Sequence, residues 1–126
     1  MNLRVGLHAS LTRQVSAADT AEALGSGSLA VLGTPRLLAW AEEASCAAIE
    51  PALDDGATSV GSRIELQHVA PSPVGELVTV TAVVQHVDGR LVRFDVTAAH
   101  GDERVVAAGT ITRVIVNADR FLSRLR

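Results

Sequence analysis

Three polar residues stand where the surrounding pattern is apolar, and their types suit acid–base chemistry. They are Thr34, Glu42 and His68. A hydroxyl, a carboxylate and an imidazole can together activate an attacking oxygen and move its proton, which is what hydrolysis of an activated acyl group requires. Each residue also has a simpler structural explanation when taken alone, because a threonine before a proline often only caps a helix. The elements that hold the three residues therefore decide whether they act together.

Residues 33–51 predict the one long helix of the chain. Thr34 can cap the first turn and Pro35 fits the first helical positions, while Pro51 ends the segment. At about 100° per residue, one face of this helix carries a mostly apolar stripe, made of Leu38, Ala41, Glu42, Ser45, Ala48 and Ile49. Because an unpaired buried carboxylate is costly, Glu42 must be hydrogen-bonded or paired with a charge.

The spacing along this helix separates two of the three candidates. Thr34 and Glu42 are eight residues apart in the sequence, and at about 1.5 Å per residue they lie roughly 12 Å apart along the axis. A direct contact between them within one subunit is therefore not expected. They could converge only through a bound substrate or a partner subunit.

The rest of the chain predicts strands. Residues 2–15 alternate apolar and polar side chains, with Leu3, Val5 and Leu7 on one side, and predict a first strand. Residues 16–33 are rich in glycine, serine and alanine and predict a flexible loop or lid, with a short helical turn near residues 18–24. Four further strands are predicted at residues 59–69, 76–87, 90–100 and 104–116.

Two details of these strands bear on the site. In the strand 59–69, alternation predicts one inward face, made of Val60, Ser62, Ile64, Leu66 and His68. A glycine inside a strand usually marks a bulge or a close approach to the backbone, and Gly61 is such a residue. The two-residue turn at Asp88 and Gly89 joins the next two strands in an antiparallel hairpin.

These elements predict an α+β fold, with an antiparallel sheet of about five strands wrapped around one long central helix, the arrangement known as the hot-dog fold. We treat residues 1–126 as a single domain, since the length suits one core. A sheet of this size leaves edges that a second copy of the chain could cover, which favours a homodimer.

Composition excludes several classes of function. The chain has 14 acidic and 11 basic residues, a net charge of −3, and few aromatic residues, so it lacks the basic surface of a nucleic-acid-binding protein. The arginines of residues 120–126 are expected to belong to a solvated helical end. The single cysteine, Cys46, permits no internal disulfide and is expected to be a buried structural thiol. Neither a leader nor a membrane-spanning run is evident, and His8, His86 and His100 lack metal-ligand spacing, so we expect a cytoplasmic protein without a metal.

The order and surroundings of the candidate residues resemble the hot-dog thioesterases of the fluoroacetyl-CoA thioesterase type. The likeness runs from about residue 33 to residue 115, and it is most specific in the strand 76–83 and at Thr34, Glu42, Pro51, Val60, Gly61 and His68. The resemblance implies that Thr34, Glu42 and His68 are the catalytic set. It also implies that the backbone of Gly61 and the side chain of Arg113 contact the substrate. No cofactor is implied, because coenzyme A is part of the substrate.

The segment before the helix departs from that family. Residues 17–32 are shorter than in the fluoroacetyl-specific enzyme and contain no aromatic gate, so a different, small or medium acyl group is expected, with a lid that is open or built from Leu24, Leu29 and Leu32. Two other hypotheses share the fold. One is a non-catalytic module that binds an acyl thioester, and the other is an acyl-CoA hydratase or dehydratase.

Overall fold

A computed structural model of the chain describes residues 1–125. It contains five strands and three helices, with 3₁₀ turns at Ala17–Asp19 and Glu50–Ala52. In chain order the elements are β1 (His8–Gln14), α1 (Ala21–Leu24), α2 (Thr34–Ile49), β2 (Ala57–His68), β3 (Leu77–Asp88), β4 (Leu91–His100), β5 (Val105–Asn117) and α3 (Ala118–Ser123). The predicted long helix, the short helical turn before it and the last four strands are confirmed.

The five strands form one antiparallel sheet in the order β1-β3-β4-β5-β2. The predicted hairpin joins β3 and β4, with Asp88 paired to Leu91 across the turn. The strands β1 and β2 are the two edges, and β2 is the longer of them, with 12 residues against 7. The helix α2 packs on one face of this sheet, which confirms the predicted α+β hot-dog arrangement.

The helix α2 buries a stripe of small and medium side chains against the sheet. Its buried residues are Leu37, Trp40, Ala41, Ala44, Ser45, Ala48 and Ile49. The buried face differs by about one residue from the predicted stripe, because Leu38 and Glu42 lie at its margin and are only half-buried. Glu42 therefore lies beside the core rather than inside it, and its carboxylate faces the β2 edge of the sheet.

The first strand begins later than predicted. Residues 2–7 are not part of β1, and Val5, expected on an inward face, is 62% exposed. Gly6 has φ +96°, a left-handed conformation that interrupts an extended chain. The inward alternation in β1 starts only after this turn, with Ala9 and Leu11 packed against the core.

A β-bulge in β2 corrects the predicted inward face of that strand. The pairing of β2 with β5 shifts between Gly61 and Arg63, so the extra residue, Ser62, has no partner opposite it. Ile64, Leu66 and His68 keep the predicted orientation. On the other side of the bulge the alternation is reversed, so Ser59 and Gly61 face the helix in place of Val60 and Ser62.

The C-terminal helix α3 begins after Asn117, whose side chain caps it by accepting a hydrogen bond from the Arg120 amide. It accounts for most of the predicted helical end, and Arg126 lies outside the described residues. Among residues 1–125, no helix is long and apolar enough to cross a membrane.

Candidate active site

The side chains of Thr34 and His68 are hydrogen-bonded to each other. Thr34 Oγ1 lies 2.8 Å from His68 Nδ1. Thr34 is the first residue of α2, whereas His68 is the last residue of β2, so the contact joins the start of the helix to the end of the edge strand. The predicted cap was wrong, because Gly33 occupies the N-cap position. The Thr34 hydroxyl is thus directed to an imidazole and not to the amides of its own helix.

The environment of His68 favours its neutral form. Partial burial lowers the pKa of His68 below the ordinary value of 6.5, and the nearby backbone of Ala70 offsets this shift in part. Its second ring nitrogen, Nε2, is buried and has no hydrogen-bond partner among residues 1–125. A neutral imidazole with Nδ1 on a hydroxyl can accept that hydroxyl's proton.

A cavity of about 290 Å³ opens beside this pair. Thr34 and His68 both line it, and its other walls are aliphatic or small side chains from two segments, one before α2 and one after β2. They are Ala21, Ser26, Val31, Leu32, Val69, Ala70 and Pro71. Of the three leucines expected in a lid, Leu32 is buried in this wall whereas Leu29 is 68% exposed.

A second cluster surrounds Glu42, eight residues after Thr34 on α2 and next to Gly61 of β2. The guanidinium of Arg113, on β5, donates a hydrogen bond from Nη1 to Glu42 Oε2 at 3.1 Å. Its other two nitrogens are also bonded, Nε to Ser59 Oγ at 2.8 Å and Nη2 to the Ser59 carbonyl at 3.0 Å. The Arg113 side chain is 7% exposed and that of Glu42 is 34% exposed. Arg113 is therefore held in one orientation, and it neutralises the carboxylate identified in the sequence.

Gly61 lies directly against this ion pair. A Cβ atom added at Gly61 would be 2.6 Å from Glu42 Oε2 and 3.5 Å from Arg113 Nη1. Its strand partner on β5 is Arg113 itself. The absence of a side chain at Gly61 thus leaves the space that the carboxylate fills, which explains why a glycine interrupts this strand.

The five predicted site residues consequently form two groups within the chain. Thr34 and His68 make one group, and Glu42, Gly61 and Arg113 make the other. Sequence reasoning missed Ser59, which orients Arg113 with both its hydroxyl and its carbonyl. The signal for Ser59 is its position two residues before Gly61, which becomes inward only when the bulge at Ser62 is recognised. Cys46, expected to be buried, is half-buried and lines a separate cavity with Ser59 and Glu50.

Comparison with known proteins places this chain in a family. Residues 15–119 match the family described as fluoroacetyl-CoA-specific thioesterase. The chain belongs to this family. The fluoroacetyl-CoA thioesterase of Streptantibioticus cattleyicolor is 32% identical over 96 residues, which cover 76% of this chain and 68% of that protein.

Solved structures agree with the family assignment. A crystal structure of the fluoroacetyl-CoA thioesterase superposes with a TM-score of 0.90 at 30% identity, covering 100% of this chain and 97% of the other. A thioesterase superfamily member from Thermus thermophilus gives a TM-score of 0.91 at 26% identity, covering 100% and 93%. A hot-dog-like protein from Thermanaerovibrio acidaminovorans gives 0.88 at 28% identity, covering 98% and 90%. The chain is therefore a thioester hydrolase with the hot-dog fold.

Proposed function

We propose that this chain hydrolyses small or medium acyl thioesters of coenzyme A, with Thr34, Glu42 and His68 as its catalytic residues. The observation that carries the proposal is the 2.8 Å contact between Thr34 Oγ1 and His68 Nδ1 at the wall of a cavity. A hydroxyl paired with a neutral imidazole is suited to attack on a carbonyl carbon, either directly or through a bound water.

The proposed reaction balances without a metal or a cofactor. An oxygen, from water or from Thr34, forms a bond to the thioester carbonyl carbon while His68 accepts the proton from that oxygen. The C–S bond then breaks, and the departing thiolate takes a proton back from His68. If Thr34 is the attacking group, a water molecule subsequently hydrolyses the acyl ester by the same transfers. The products are a free acid and coenzyme A.

Glu42 would orient the attacking group, whereas Gly61 and Arg113 would hold the acyl end of the substrate. Arg113 fixes the Glu42 carboxylate through its Nη1 hydrogen bond, and the exposed third of Glu42 leaves oxygen surface free to orient a water molecule. Gly61 leaves the backbone of β2 open at the same place. A carboxylate held in one place can keep an attacking water in the orientation that the reaction needs.

The proposed substrate differs from fluoroacetyl-CoA. The cavity walls beside His68 are aliphatic, with no aromatic residue among them, so the aromatic gate of the related enzyme has no counterpart there. Its volume of 290 Å³ is at the lower limit of ligand pockets, which span roughly 300–1,000 Å³. Such a cavity suits an acyl chain of a few carbons, whereas the coenzyme A part would extend outside it.

We also propose that the two groups of site residues converge across a homodimer. The strand β2 is a long edge of the sheet, and an unpaired edge presents a row of backbone donors and acceptors to another strand. His68 lies at one end of this strand and Gly61 lies seven residues before it. Antiparallel pairing of two copies about an axis at Glu65 keeps the inward faces of both strands on one side of the joined sheet, and the bulge at Ser62 then sets Gly61 opposite the partner's His68. Glu42 of one protomer would then share a site with Thr34 and His68 of the other.

The activity is tested by thiol release from a panel of acyl-CoA esters, from acetyl to hexanoyl. Wild-type protein is expected to release coenzyme A from at least one of them, and both His68→Ala and Glu42→Gln are expected to abolish most of that release. Analysis of the intact acyl chain separates hydrolysis from hydration, because only hydrolysis yields free thiol. The proposal is overturned if no ester is turned over, or if neither substitution changes the rate.

A further inference from the structure

A second histidine, outside the proposed catalytic set, is hydrogen-bonded to a serine beneath the cavity. Ser72 Oγ lies 2.7 Å from His100 Nε2, and both residues are buried, with exposures of 0% and 6%. On the other side of the ring, Glu76 Oε1 lies 3.8 Å from His100 Nδ1. The serine, histidine and glutamate thus stand in the order of a hydrolytic triad. Ser72 has no access to solvent and does not line the cavity, so it is not a nucleophile.

Ser72 instead joins the two walls of the cavity. It belongs to the connection between β2 and β3, whose residues Val69 and Pro71 form one wall. Its carbonyl accepts a hydrogen bond from the amide of Leu32 at 2.8 Å, and Leu32 belongs to the opposite wall. The neighbouring residue Pro73 forms an isolated bridge with Val31 of the same wall. The position of Ser72 therefore sets the distance between the two walls.

His100 anchors this connection to the rigid sheet. It is the last residue of β4, and it faces the middle of the connection at Ser72 and its end at Glu76. Among residues 1–125, the bond from Ser72 to His100 is the one hydrogen bond between side chains that ties residues 69–76 to the rest of the chain. The other hydrogen bonds of this connection among the described residues involve backbone atoms, such as the Gly75 amide donating to the Val15 carbonyl.

We infer that His100 is a positioning residue that fixes, through Ser72, the width of the acyl cavity and hence the choice of acyl chain. This inference rests on the proposed thioesterase function and extends it to substrate selection. His100 does not touch the cavity, so its effect passes through the Ser72 side chain to Leu32 and Pro71. Loss of the bond would release the connection, and the Leu32 backbone bonded to it, from β4, so that the cavity could widen and admit longer chains.

The variant Ser72→Ala tests this with the smallest change of shape. Its matched control is Thr12→Val, which breaks a hydroxyl-to-hydroxyl bond of similar length, 2.9 Å from Thr12 to Thr79, on the exposed face of the sheet. The measurements are kcat and KM for acetyl-, butyryl- and hexanoyl-CoA, together with hydrogen exchange at the Leu32 amide. In Ser72→Ala the ratio of kcat/KM for hexanoyl- over acetyl-CoA should rise by about tenfold, and Leu32 should exchange faster. In Thr12→Val neither should change.

A further variant covers the case in which Ser72→Ala does not fold. Glu76→Gln removes the charge facing His100 at a side chain that is 37% exposed, and it should shift the chain-length ratio in the same direction by a smaller factor. If wild-type protein hydrolyses the esters and both variants keep the wild-type ratio, the inference is wrong while the proposed function stands. If wild-type protein hydrolyses none of them, the proposed function and this inference both fail.

Discussion

Glu42 and Arg113 form an ion pair at 3.1 Å between residues that are 71 positions apart in the chain. The pair connects the margin of the central helix to the strand next to the sheet edge. Because all three guanidinium nitrogens are bonded, Arg113 has no freedom to swing away from the carboxylate. The relationship makes Glu42 a fixed, partly exposed acceptor at the margin of α2.

Replacing Arg113 by lysine should break this arrangement. A lysine ammonium lacks the planar fork that reaches Ser59 and Glu42 together, so kcat/KM should fall at least about tenfold and the free energy of unfolding by about 1–3 kcal/mol. Arg13→Lys is the matched control. Arg13, on β1, forms an ion pair at 3.0 Å with Glu43, which is on the same helix as Glu42, but the Arg13 side chain is 38% exposed. Its loss of stability should stay below about 1 kcal/mol. Equal effects of the two substitutions in denaturation and kinetics would contradict this account.

A methyl group at Gly61 should displace the Glu42 carboxylate. Its Cβ would lie 2.6 Å from Glu42 Oε2, and the flexible end of Glu42 would move aside rather than the backbone. Gly61→Ala should therefore lower kcat about 100-fold with little change in melting temperature, because a displacement of about 1 Å at a reacting group slows the reaction by this factor. Gly101→Ala, at a site with no atom near the added methyl, is the control. Wild-type turnover in Gly61→Ala would show that Glu42 need not hold its position.

Thr34→Val should separate catalysis from helix capping. The side chain bonds to His68, not to the helix amides, so turnover should be almost lost while stability changes by less than about 0.5 kcal/mol. Thr34→Ser, which keeps a hydroxyl, should retain part of the activity. Chemical denaturation and thiol release measured on the same samples decide the matter. If Thr34→Val keeps its activity but its free energy of unfolding falls by about 1 kcal/mol, as expected for a lost cap, then Thr34 is a capping residue and not a catalytic one.

The pH dependence of the reaction should report His68. Burial lowers the pKa of His68, so the neutral base persists below pH 6.5, and the acid limb of kcat/KM should have its midpoint below that value. The sign for stability follows from the same shift. His68 binds a proton more tightly in the unfolded chain than in the folded one. Its contribution therefore lowers the free energy of unfolding as pH falls from 6.5 through the pKa of His68 in the folded protein. His68→Gln should remove this component of the stability profile. An acid limb above pH 6.5 would indicate another base.

The main helix and the last three strands could be predicted from the sequence because their periods are long and uninterrupted. The helix has Pro35 at its start and Pro51 just past its end, and the hairpin has Asp88 and Gly89 at its turn. The first strand was predicted too early, since Leu3, Val5 and Leu7 alternate as a strand would. Gly6, whose left-handed conformation ends this pattern, was not weighed, although a glycine inside a strand pattern can mark such an interruption.

The residues of the candidate site were predicted, but the contacts between them were not. Thr34, Glu42 and His68 were identified as polar residues on apolar patterns, but which of them meet depends on how the helix lies against β2. The bulge at Ser62 was not predicted because it is a property of two paired strands. For the same reason neither Ser59 nor the bond between Ser72 and His100, which joins residues 28 positions apart, was predicted.

The division of the site between two protomers is tested most directly by mixing two inactive variants. Glu42→Gln and His68→Ala are unfolded together, refolded at equal concentration and assayed for thiol release, with each variant refolded alone as the control. If Glu42 of one protomer works with the partner's His68, every mixed dimer has one intact site, and the mixture should recover about a quarter of the wild-type activity. If the mixture is no more active than the two variants refolded separately, the site does not form across the dimer and the account is contradicted.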